Sequence, residues 1–330
     1  MRLVRAQANA RAALVGNPSD GYGGRTISFT FRQFAARATV YEWPRLEIVP
    51  GREDQVSFAS LDELVDEVRG NGYYGGLRVV TAAMVRFADW CAANGVELEP
   101  RNVSVRYETD IPRGVGLGGS SAIATAVVRA LCGFHGVRIP PEQLPSVVLA
   151  AETEELGIAA GLQDRVAQAY EGLTYMDFDP ALVAERGHGR YERLDPTLLP
   201  PLRVAFLAAA AQPSHEAHRA VRDRFRAGDE AVTAAMSEIA ALATEAREAL
   251  EAGERGRLGE LMDRNLDLRA SVFELDPRHL AMVDAARAAG AHCNYAGSGG
   301  ALVLLPDPAR GAELEGELGT LGCALIEPTV

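Results

Sequence analysis

The chain has 330 residues, of which 48% are hydrophobic, so it is long enough to bury one large core or two modest ones. Its net charge of −12, from 33 basic and 45 acidic residues, argues against nucleic acid as a main partner, since phosphate backbones need a basic footprint. We find no run of about 18 apolar residues and therefore expect no membrane span. The four cysteines are scattered without a CxxC pair, which indicates buried thiols in a reducing compartment, and we expect a cytoplasmic protein.

The first part of the chain predicts both strands and helices. Residues 11–16 form the end of a predicted strand, a turn-rich loop follows, and the alternating TISFTF is typical of a second strand. Ser60 fits the N-cap of a helix, because Glu63 stands where a capping box requires it. A longer helix is predicted from about Leu77 to Ala93, with its apolar residues on one face.

Further along, NVSVRYETD alternates as a strand does, and Pro112 ends it. A glycine-rich loop then leads into a helix of small residues, and another helix is predicted from about Glu142 to Leu156. The proline-rich DPTLLPPLR indicates a domain boundary near residue 200. Beyond it we predict a strand, several amphipathic helices, and a last unit of glycine loop, strand, helix and strand. Because strands and helices mix without strict βαβ alternation, the pattern favours an α+β fold over a doubly wound sheet.

The loop PRGVGLGGSSA, from Pro112 to Ala122, is the most informative stretch. Its glycines can adopt positive φ and let the backbone approach a ligand closely. The loop runs directly into a helix, whose first N–H groups and positive dipole end suit a phosphate. Ser120 and Ser121 stand where a hydroxyl could bind Mg²⁺ or cap the helix. This stretch therefore predicts a phosphate-binding loop.

Other interpretations of the loop are weaker. Gly114, Gly116 and Gly119 satisfy GxGxxG, but no strand-end acid follows at the spacing of a dinucleotide site, where the sequence is FHGVRIPPEQ. There is no GxxxxGK[ST], so the loop is not of the Walker type. A glycine turn with a purely structural role before a capped helix is the third alternative.

Three motifs together resemble the GHMP superfamily, which includes galactokinase, homoserine kinase, mevalonate kinase and phosphomevalonate kinase. The central motif Pro-x-x-x-Gly-Leu-Gly-Ser-Ser-Ala corresponds to residues 112–122, which are one glycine richer. The galactokinase-type motif Arg-Val-Asn-Leu-Ile-Gly-Glu-His-Thr-Asp lies over Arg11–Asp20, where Asn17-Pro18 replaces the Glu-His pair. The C-terminal motif corresponds to the glycine loop at residues 297–301.

Within the superfamily the chain is most similar to the glucuronokinases of plants. The stretches GNPSDGYGGRTIS, NGYYGGLR, GSSAI, ELGIAAGLQDRVAQAYEGL, MDF, LLPPL and GSGGA occur in the same order as in them, over nearly the whole chain. The resemblance implies the two-domain GHMP kinase fold. We therefore expect an ATP-binding domain like domain 2 of ribosomal protein S5 over residues 1–198, and a ferredoxin-like domain over residues 199–330. It also implies transfer of the γ-phosphate of ATP to the anomeric hydroxyl of D-glucuronate.

The resemblance also implies roles for individual residues. Asp164, in GLQDRVAQ, corresponds to the catalytic aspartate that orients or deprotonates the acceptor hydroxyl. Arg11 corresponds to an arginine near that aspartate and the transferring phosphoryl group. Nucleotide binding falls to the loop residues Pro112, Gly114, Gly116, Leu117, Gly118, Gly119, Ser120, Ser121 and Ala122.

For Mg²⁺ we expect one hydroxyl and one carboxylate beside the phosphates of ATP. Ser120 is the favoured hydroxyl. Glu152, Glu154 and Glu155 compete for the carboxylate: the spacing to Asp164 in the superfamily favours Glu152, whereas helical phase favours Glu155. We predict Glu152.

A sugar acid needs partners for its hydroxyl groups and a cation for its carboxylate. Asn17 and Asp20 lie in the motif whose aspartate contacts the sugar in galactokinases. Arg25 and Arg165 are candidate clamps, because a guanidinium can bind a carboxylate with two hydrogen bonds. The resemblance adds the glycine-loop residues Gly297, Ser298 and Gly299.

Several alternatives stay open at this point. Another GHMP sugar or sugar-phosphate kinase, of the galactose or heptose-phosphate type, would share these motifs. A non-catalytic sugar sensor would be expected to lose Arg11, Asp164 or the serine pair, and all are present. A nicotinamide dehydrogenase would rest on GxGxxG alone. We expect a small sugar acid as the partner, with neither nucleic acid nor membrane, and the sequence leaves monomer and homodimer open.

Overall fold

The computed structural model describes residues 2–51, 54, 60, 75–158, 160–207 and 215–330, with the backbone alone for 215–218. The helix predicted from Ser60 therefore lies outside the described residues beyond its first position. The chain folds as two compact units that alternate along the sequence. The first takes Met1–Ala10, Gln33–Ile111 and Gly118–Tyr170, and the second takes Arg11–Arg32, Pro112–Leu117 and Glu171–Val330.

Two long strands, β1 (Leu3–Val15) and β2 (Arg25–Glu42), pair with each other and run through both units. In the first unit, the second part of β2 pairs antiparallel with β4 (Val103–Thr109). The short strand β3 (Glu47–Val49) pairs parallel with the other edge of β4. The predicted strand at NVSVRYETD is thus confirmed, and the strand at residues 11–16 is longer than predicted.

The helices of the first unit pack around α2 (Gly119–His135), which begins at the end of the predicted phosphate loop. Its buried residues are mostly alanine and valine, so neighbouring helices can approach closely. These neighbours are α1 (Gly76–Ala93), α3 (Leu144–Ala150) and α4 (Gln163–Tyr170). The predicted helix at Leu77–Ala93 is confirmed.

The predicted helix at Glu142–Leu156 is confirmed in part. It begins as α3 and changes at its C-terminal end into one turn of π-helix, Ala151–Glu155. A π-turn bonds each residue to the fifth one back and therefore breaks the 100° periodicity on which a helical-phase argument depends. Glu152 is 2% exposed, whereas Glu155 is exposed. The argument from helical phase, which places Glu155 at the centre of the buried face, is therefore wrong, because the π-turn changes the phase.

In the second unit, the first part of β2 pairs antiparallel with β5 (Leu173–Asp177), which pairs in turn with β6 (Arg190–Leu194). A short helix, α5 (Pro180–Arg186), connects these two strands. Asp179 caps it by accepting hydrogen bonds from two backbone N–H groups.

A second, antiparallel sheet follows in the order β10-β7-β9-β8. Its strands are β7 (Arg203–Phe206), β8 (His292–Tyr295), β9 (Ala301–Leu305) and β10 (Ala324–Ile326). Numbered within this sheet alone, the order is 4-1-3-2, which together with helical crossovers after the first and third strands is the ferredoxin-like arrangement. The predicted fold of this part is therefore confirmed.

The helical crossovers of this sheet are α6 (His215–Arg226), α7 (Glu230–Ala252), α8 (Arg255–Val272), α9 (Pro277–Ala288) and α10 (Gly311–Thr320). Their apolar core with the sheet includes Leu266, Met282, Leu302, Leu304 and Leu314. Within the described part of the chain, no helix has both the length and the apolar character needed to cross a membrane. The domain boundary at residue 198 stays a prediction, because the compact units divide the chain in a different way.

Candidate active site

The backbone of the phosphate loop has the conformation that its glycines predict. Gly114, Gly116 and Gly118 all have φ near +70°, in the left-handed region that glycine adopts without steric cost. Gly118 occupies the N-cap of α2 without a side-chain cap, so the helix begins with backbone N–H groups only. Ser121 is buried, and its hydroxyl donates to the Gly118 carbonyl at 3.0 Å.

The first half of this loop lies against the C-terminal glycine loop within the second unit. A Cβ on Gly116 would stand 2.8 Å from the Gly299 carbonyl oxygen and 2.9 Å from the Ser298 nitrogen. A Cβ on Gly297 would collide with the Gly116 carbonyl oxygen. The structure thus brings together two stretches that the sequence separates by about 180 residues, and only glycine allows backbones to come this close.

Two buried arginines hold the C-terminal glycine loop. Arg11 is 4% exposed and donates to the carbonyls of Ala296 and Gly116, the latter at 2.9 Å. Arg269, on α8, donates to the carbonyls of Gly297 at 2.7 Å and Ser298 at 2.9 Å. Complete burial lowers the pKa of Arg269 to about 10, partly opposed by neighbouring tyrosines.

Arg269 is not among the site residues predicted from the sequence. Its signal lies on the buried stripe of α8, where Met262, Leu266 and Arg269 follow one another at helical spacing. An arginine at the centre of an apolar stripe is rarely buried unless it has partners, and this observation could have identified it.

In the first unit, Glu152 lies at the centre of a buried polar cluster. Ser120 Oγ donates to Glu152 Oε1 at 2.5 Å, and Arg165 Nη2 donates to Glu152 Oε2. Arg165 is 4% exposed, and its Nη1 also donates to the Gly161 carbonyl at 2.8 Å. The two carboxylate oxygens of Glu152 therefore have different partners, a hydroxyl and a guanidinium.

The Ser120–Glu152 pair fits a magnesium ion in its donor chemistry. Mg²⁺ prefers oxygen ligands at about 2.1 Å in octahedral geometry, which sets neighbouring ligand oxygens about 3 Å apart. The two oxygens are 2.5 Å apart, so a small movement of either would accommodate the ion. Among the described residues there is no group of three His, Cys, Asp or Glu side chains that could hold a metal.

Asp164 stands in the first turn of α4, beside this cluster. Its Oδ2 lies 3.5 Å from Arg165 Nη1, and its side chain is 21% exposed, so it is more accessible than the buried Glu152. The structure places Ser120, Glu152, Asp164 and Arg165 together in the first unit. The proximity of Asp164 to Arg11 stays a prediction, since Arg11 belongs to the second unit.

The predicted sugar-binding residues lie in the second unit. Asn17 is 6% exposed and donates to the Gly297 carbonyl at 2.9 Å, and its own carbonyl accepts from Asn265 at 2.8 Å. Asp20 lies in the 3₁₀ turn Ser19–Tyr22, partly exposed. Arg25 pairs with Asp177 at 3.1 Å, and this hydrogen bond raises the pKa of Arg25. The binding of sugar by these residues stays a prediction.

Comparison with known proteins finds two matching family models. One is described as GHMP kinases N terminal domain, over residues 79–172, and the other as GHMP kinases C terminal, over residues 246–322. Probable glucuronokinase 2 of Arabidopsis thaliana is 44% identical over 302 residues, covering 89% of this chain and 82% of the relative. Glucuronokinase 1 of the same plant is 42% identical over 301 residues, covering 89% and 83%.

Solved structures share the fold at low sequence identity. Lactococcus lactis galactokinase, complexed with galactose, superposes with a TM-score of 0.78 at 15% identity, covering 100% of this chain and 94% of the other. The mevalonate kinase of Methanococcus jannaschii superposes with a TM-score of 0.73 at 18% identity, covering 100% and 99%. At these identities the likeness concerns the fold alone.

Proposed function

Because the chain belongs to the GHMP kinase family, in its glucuronokinase branch, we propose that it transfers the γ-phosphoryl group of ATP to the anomeric hydroxyl of D-glucuronate. The observation that carries this proposal is the 42–44% identity to glucuronokinases over 89% of the chain. The products would be D-glucuronate 1-phosphate and ADP. The partly buried Ser120–Glu152 pair and the partly exposed Asp164 beside it supply the kinds of group that such a transfer needs.

The nucleotide phosphates bind at the loop that ends in Gly118. The glycines at positive φ allow the backbone to approach the phosphates, and the start of α2 offers uncapped N–H groups and the positive end of the helix dipole. Bound Mg²⁺ would neutralise phosphate charge, with Ser120 Oγ and Glu152 Oε1 as its protein ligands. Arg165 orients Glu152 by holding the other carboxylate oxygen.

Asp164 acts on the acceptor. As the anomeric oxygen of the sugar forms its bond to the γ-phosphorus, the bond from that phosphorus to the β–γ bridging oxygen breaks and ADP leaves. Asp164 accepts the proton that the anomeric hydroxyl loses. Arg11, a buried guanidinium fixed by two backbone carbonyls, supplies a positive charge to the site without the entropy cost of ordering it during reaction.

A substrate panel tests the proposed function. The protein is incubated with ATP and Mg²⁺ and with uronic acids, neutral aldoses and sugar phosphates in turn, ADP release is measured, and phosphorus NMR identifies the product. We expect the highest kcat/KM with D-glucuronate and a 1-phosphate product. Turnover of galactose or of a heptose phosphate with glucuronate left unchanged would overturn the proposal and select another branch of the family.

Two further properties of the enzyme are its cellular location and its oligomeric state. Its four cysteines are free thiols, two of them buried, as is typical of a reducing compartment, and we place it in the cytoplasm. A monomer and a homodimer are both compatible with the proposed chemistry.

A further inference from the structure

A uronic acid differs from its parent sugar by one carboxylate, which an arginine binds best. Four arginines of the chain already use their guanidinium groups elsewhere. Arg25 and Arg165 each pair with a carboxylate of the chain, Asp177 and Glu152. Arg11 and Arg269 donate instead to backbone carbonyls of the glycine loops.

Arg222 differs from these four. It lies on α6 and is partly buried, and its Nε is shielded from solvent. Within the described part of the chain, this Nε has no hydrogen-bond acceptor and the guanidinium forms no ion pair. Shielded polar atoms are normally hydrogen-bonded, so a partly buried guanidinium without an acceptor is unusual. Such a side chain is suited to bind an anion.

The guanidinium of Arg222 lies beside the turn that carries Asp20. A Cβ on Gly21 would stand 3.9 Å from Arg222 Nη2. The same turn is attached to α6 by Tyr22, whose ring meets that of Phe225 edge to face at 4.9 Å between centroids. Because Phe225 follows Arg222 by one helical turn, both residues are on the side of α6 that faces this turn.

Electrostatics agree with this placement. Burial raises the pKa of Tyr22, whereas the nearby positive charges of Arg222 and Arg269 lower it. Asp20 is the acidic group that acts on the same hydroxyl. A net positive field at a turn whose aspartate is predicted to bind the sugar favours a ligand that has both hydroxyl groups and a negative charge.

More shielded polar atoms lie at the neighbouring glycine loop. Arg269 Nε, His279 Nε2 and Tyr295 Oη are buried without hydrogen-bond partners among the described residues. Arg269 stacks on the Tyr295 ring at 4.5 Å, and His279 meets that ring at 6.0 Å between centroids. A Cβ on Gly299 would stand 3.2 Å from His279. Polar atoms grouped in this way indicate a site that a polar ligand completes.

We propose that Arg222 binds the carboxylate of the uronic acid substrate, at the turn Ser19–Tyr22, and so makes the enzyme specific for an acidic sugar. This assignment rests on the proposed function, because it places the substrate beside Asp20. A guanidinium opposite a carboxylate can form two parallel hydrogen bonds, which a neutral sugar cannot replace. A neutral substrate would leave the partly buried charge of Arg222 without a partner, and this is the origin of the discrimination.

The test compares Arg222→Gln with Arg219→Gln. Arg219 lies one turn earlier on α6 and is exposed, so it is a matched control. Binding of glucuronate and of its uncharged analogue glucuronamide is measured by calorimetry on wild type and both variants, together with kcat/KM for glucuronate. We expect Arg222→Gln to weaken glucuronate binding about 30- to 500-fold, to change glucuronamide binding less than about threefold, and Arg219→Gln to change neither.

Arg222→Lys keeps the charge but not the paired donors, so its affinity for glucuronate should lie between those of the wild type and Arg222→Gln. Melting temperature and binding of an ATP analogue show that each variant is folded. Equal losses for glucuronate and glucuronamide, or unchanged glucuronate binding, would overturn the role of Arg222. Glucose 6-phosphate in the same series distinguishes a carboxylate site from a general anion site. Failure of the proposed function would appear in the wild type, which would then turn over no uronic acid.

Discussion

At Glu152 the two oxygens of one carboxylate have different neighbours, and this has a consequence for the metal. Oε2 is held by the Arg165 guanidinium, and Oε1 faces the Ser120 hydroxyl. Glu152 can therefore give a metal ion only one oxygen while Arg165 stays in place. Mg²⁺ accepts such single-oxygen ligands, whereas Ca²⁺ often takes both oxygens of a carboxylate, so Arg165 should help to select Mg²⁺.

Replacing Arg165 by Gln should weaken this selection. We expect Ca²⁺ to support nucleotide binding to the variant about as well as Mg²⁺ does, while the wild type prefers Mg²⁺, because both oxygens of Glu152 become available. Calorimetry with ADP in the presence of either ion measures the ratio, with Arg25→Gln as the control. An unchanged ratio in a folded Arg165→Gln protein would show that Arg165 does not limit the carboxylate.

Asp164 and Glu152 should be separable by kinetics. Asp164→Asn keeps the shape of the side chain but cannot accept a proton, so kcat should fall by roughly 10²- to 10⁴-fold with little change in the KM for either substrate. Glu152→Gln should instead raise the Mg²⁺ requirement, and excess metal should restore part of the rate. If added metal rescued Asp164→Asn and had no effect on Glu152→Gln, the two roles would be exchanged.

At the scale of elements, the glycine-rich loop needs glycine for two reasons, its positive φ and the close approach of the Gly299 backbone. A matched pair of substitutions separates the two. Gly116 and Gly136 both have φ near +70°, but a Cβ at Gly136 would meet nothing within 4 Å, whereas one at Gly116 would meet the Gly299 backbone. Both alanine variants should lose about 1 kcal/mol of folding free energy from the positive φ. Gly116→Ala should lose more, and should also weaken ATP binding.

Urea denaturation measures the folding free energy of the two variants, and calorimetry with an ATP analogue measures binding. We expect Gly136→Ala to bind the nucleotide as the wild type does, since it lies at the far end of α2. Equal effects of the two substitutions on both quantities would show that the contact between the glycine loops contributes nothing.

The sequence could predict this loop because glycines followed by serines at a helix start have few other uses. The ferredoxin-like sheet could be expected only from the resemblance to the GHMP superfamily, because the pattern of strands and helices favours an α+β fold without giving the strand order. It could not settle the choice among Glu152, Glu154 and Glu155, because the π-turn at Ala151–Glu155 has no sequence signature and shifts the helix face. Arg222 was missed because its importance depends on neighbours that are distant in sequence, whereas the place of Arg269 on the apolar stripe of α8 was a signal that could have identified it.

At the scale of the whole molecule, the second unit is assembled from three separate parts of the chain. Asn265, buried on α8, accepts from Gly16 N at 2.6 Å and donates to the Asn17 carbonyl. Asn294 donates to the Leu14 carbonyl at 3.1 Å. The helices and sheet after residue 198 therefore depend on the N-terminal segment for hydrogen bonds in their core.

We expect residues 199–330, expressed alone, to lack a cooperative unfolding transition. The fragment would lose these hydrogen bonds and the packing of Ala243 against the backbone near Gly16. Each buried polar group left without its partner costs about 1–3 kcal/mol, which is large beside the stability of a small domain. Thermal unfolding followed by near-UV circular dichroism tests this. A sharp transition in the fragment would show that the predicted boundary at residue 198 separates two independent folding units.

The alternation of the two units along the chain also limits how new substrate specificity can arise. A recombination event exchanges one contiguous stretch of a gene. Any stretch that contains Asp20, Arg222 and the first half of the phosphate loop also contains most of the first unit. Exchange of segments between related kinases would therefore break the contacts of Asn265 and of the paired glycine loops. Enzymes built in this way are expected to change their sugar by single substitutions at positions such as Asn17 and Arg222, and not by domain shuffling.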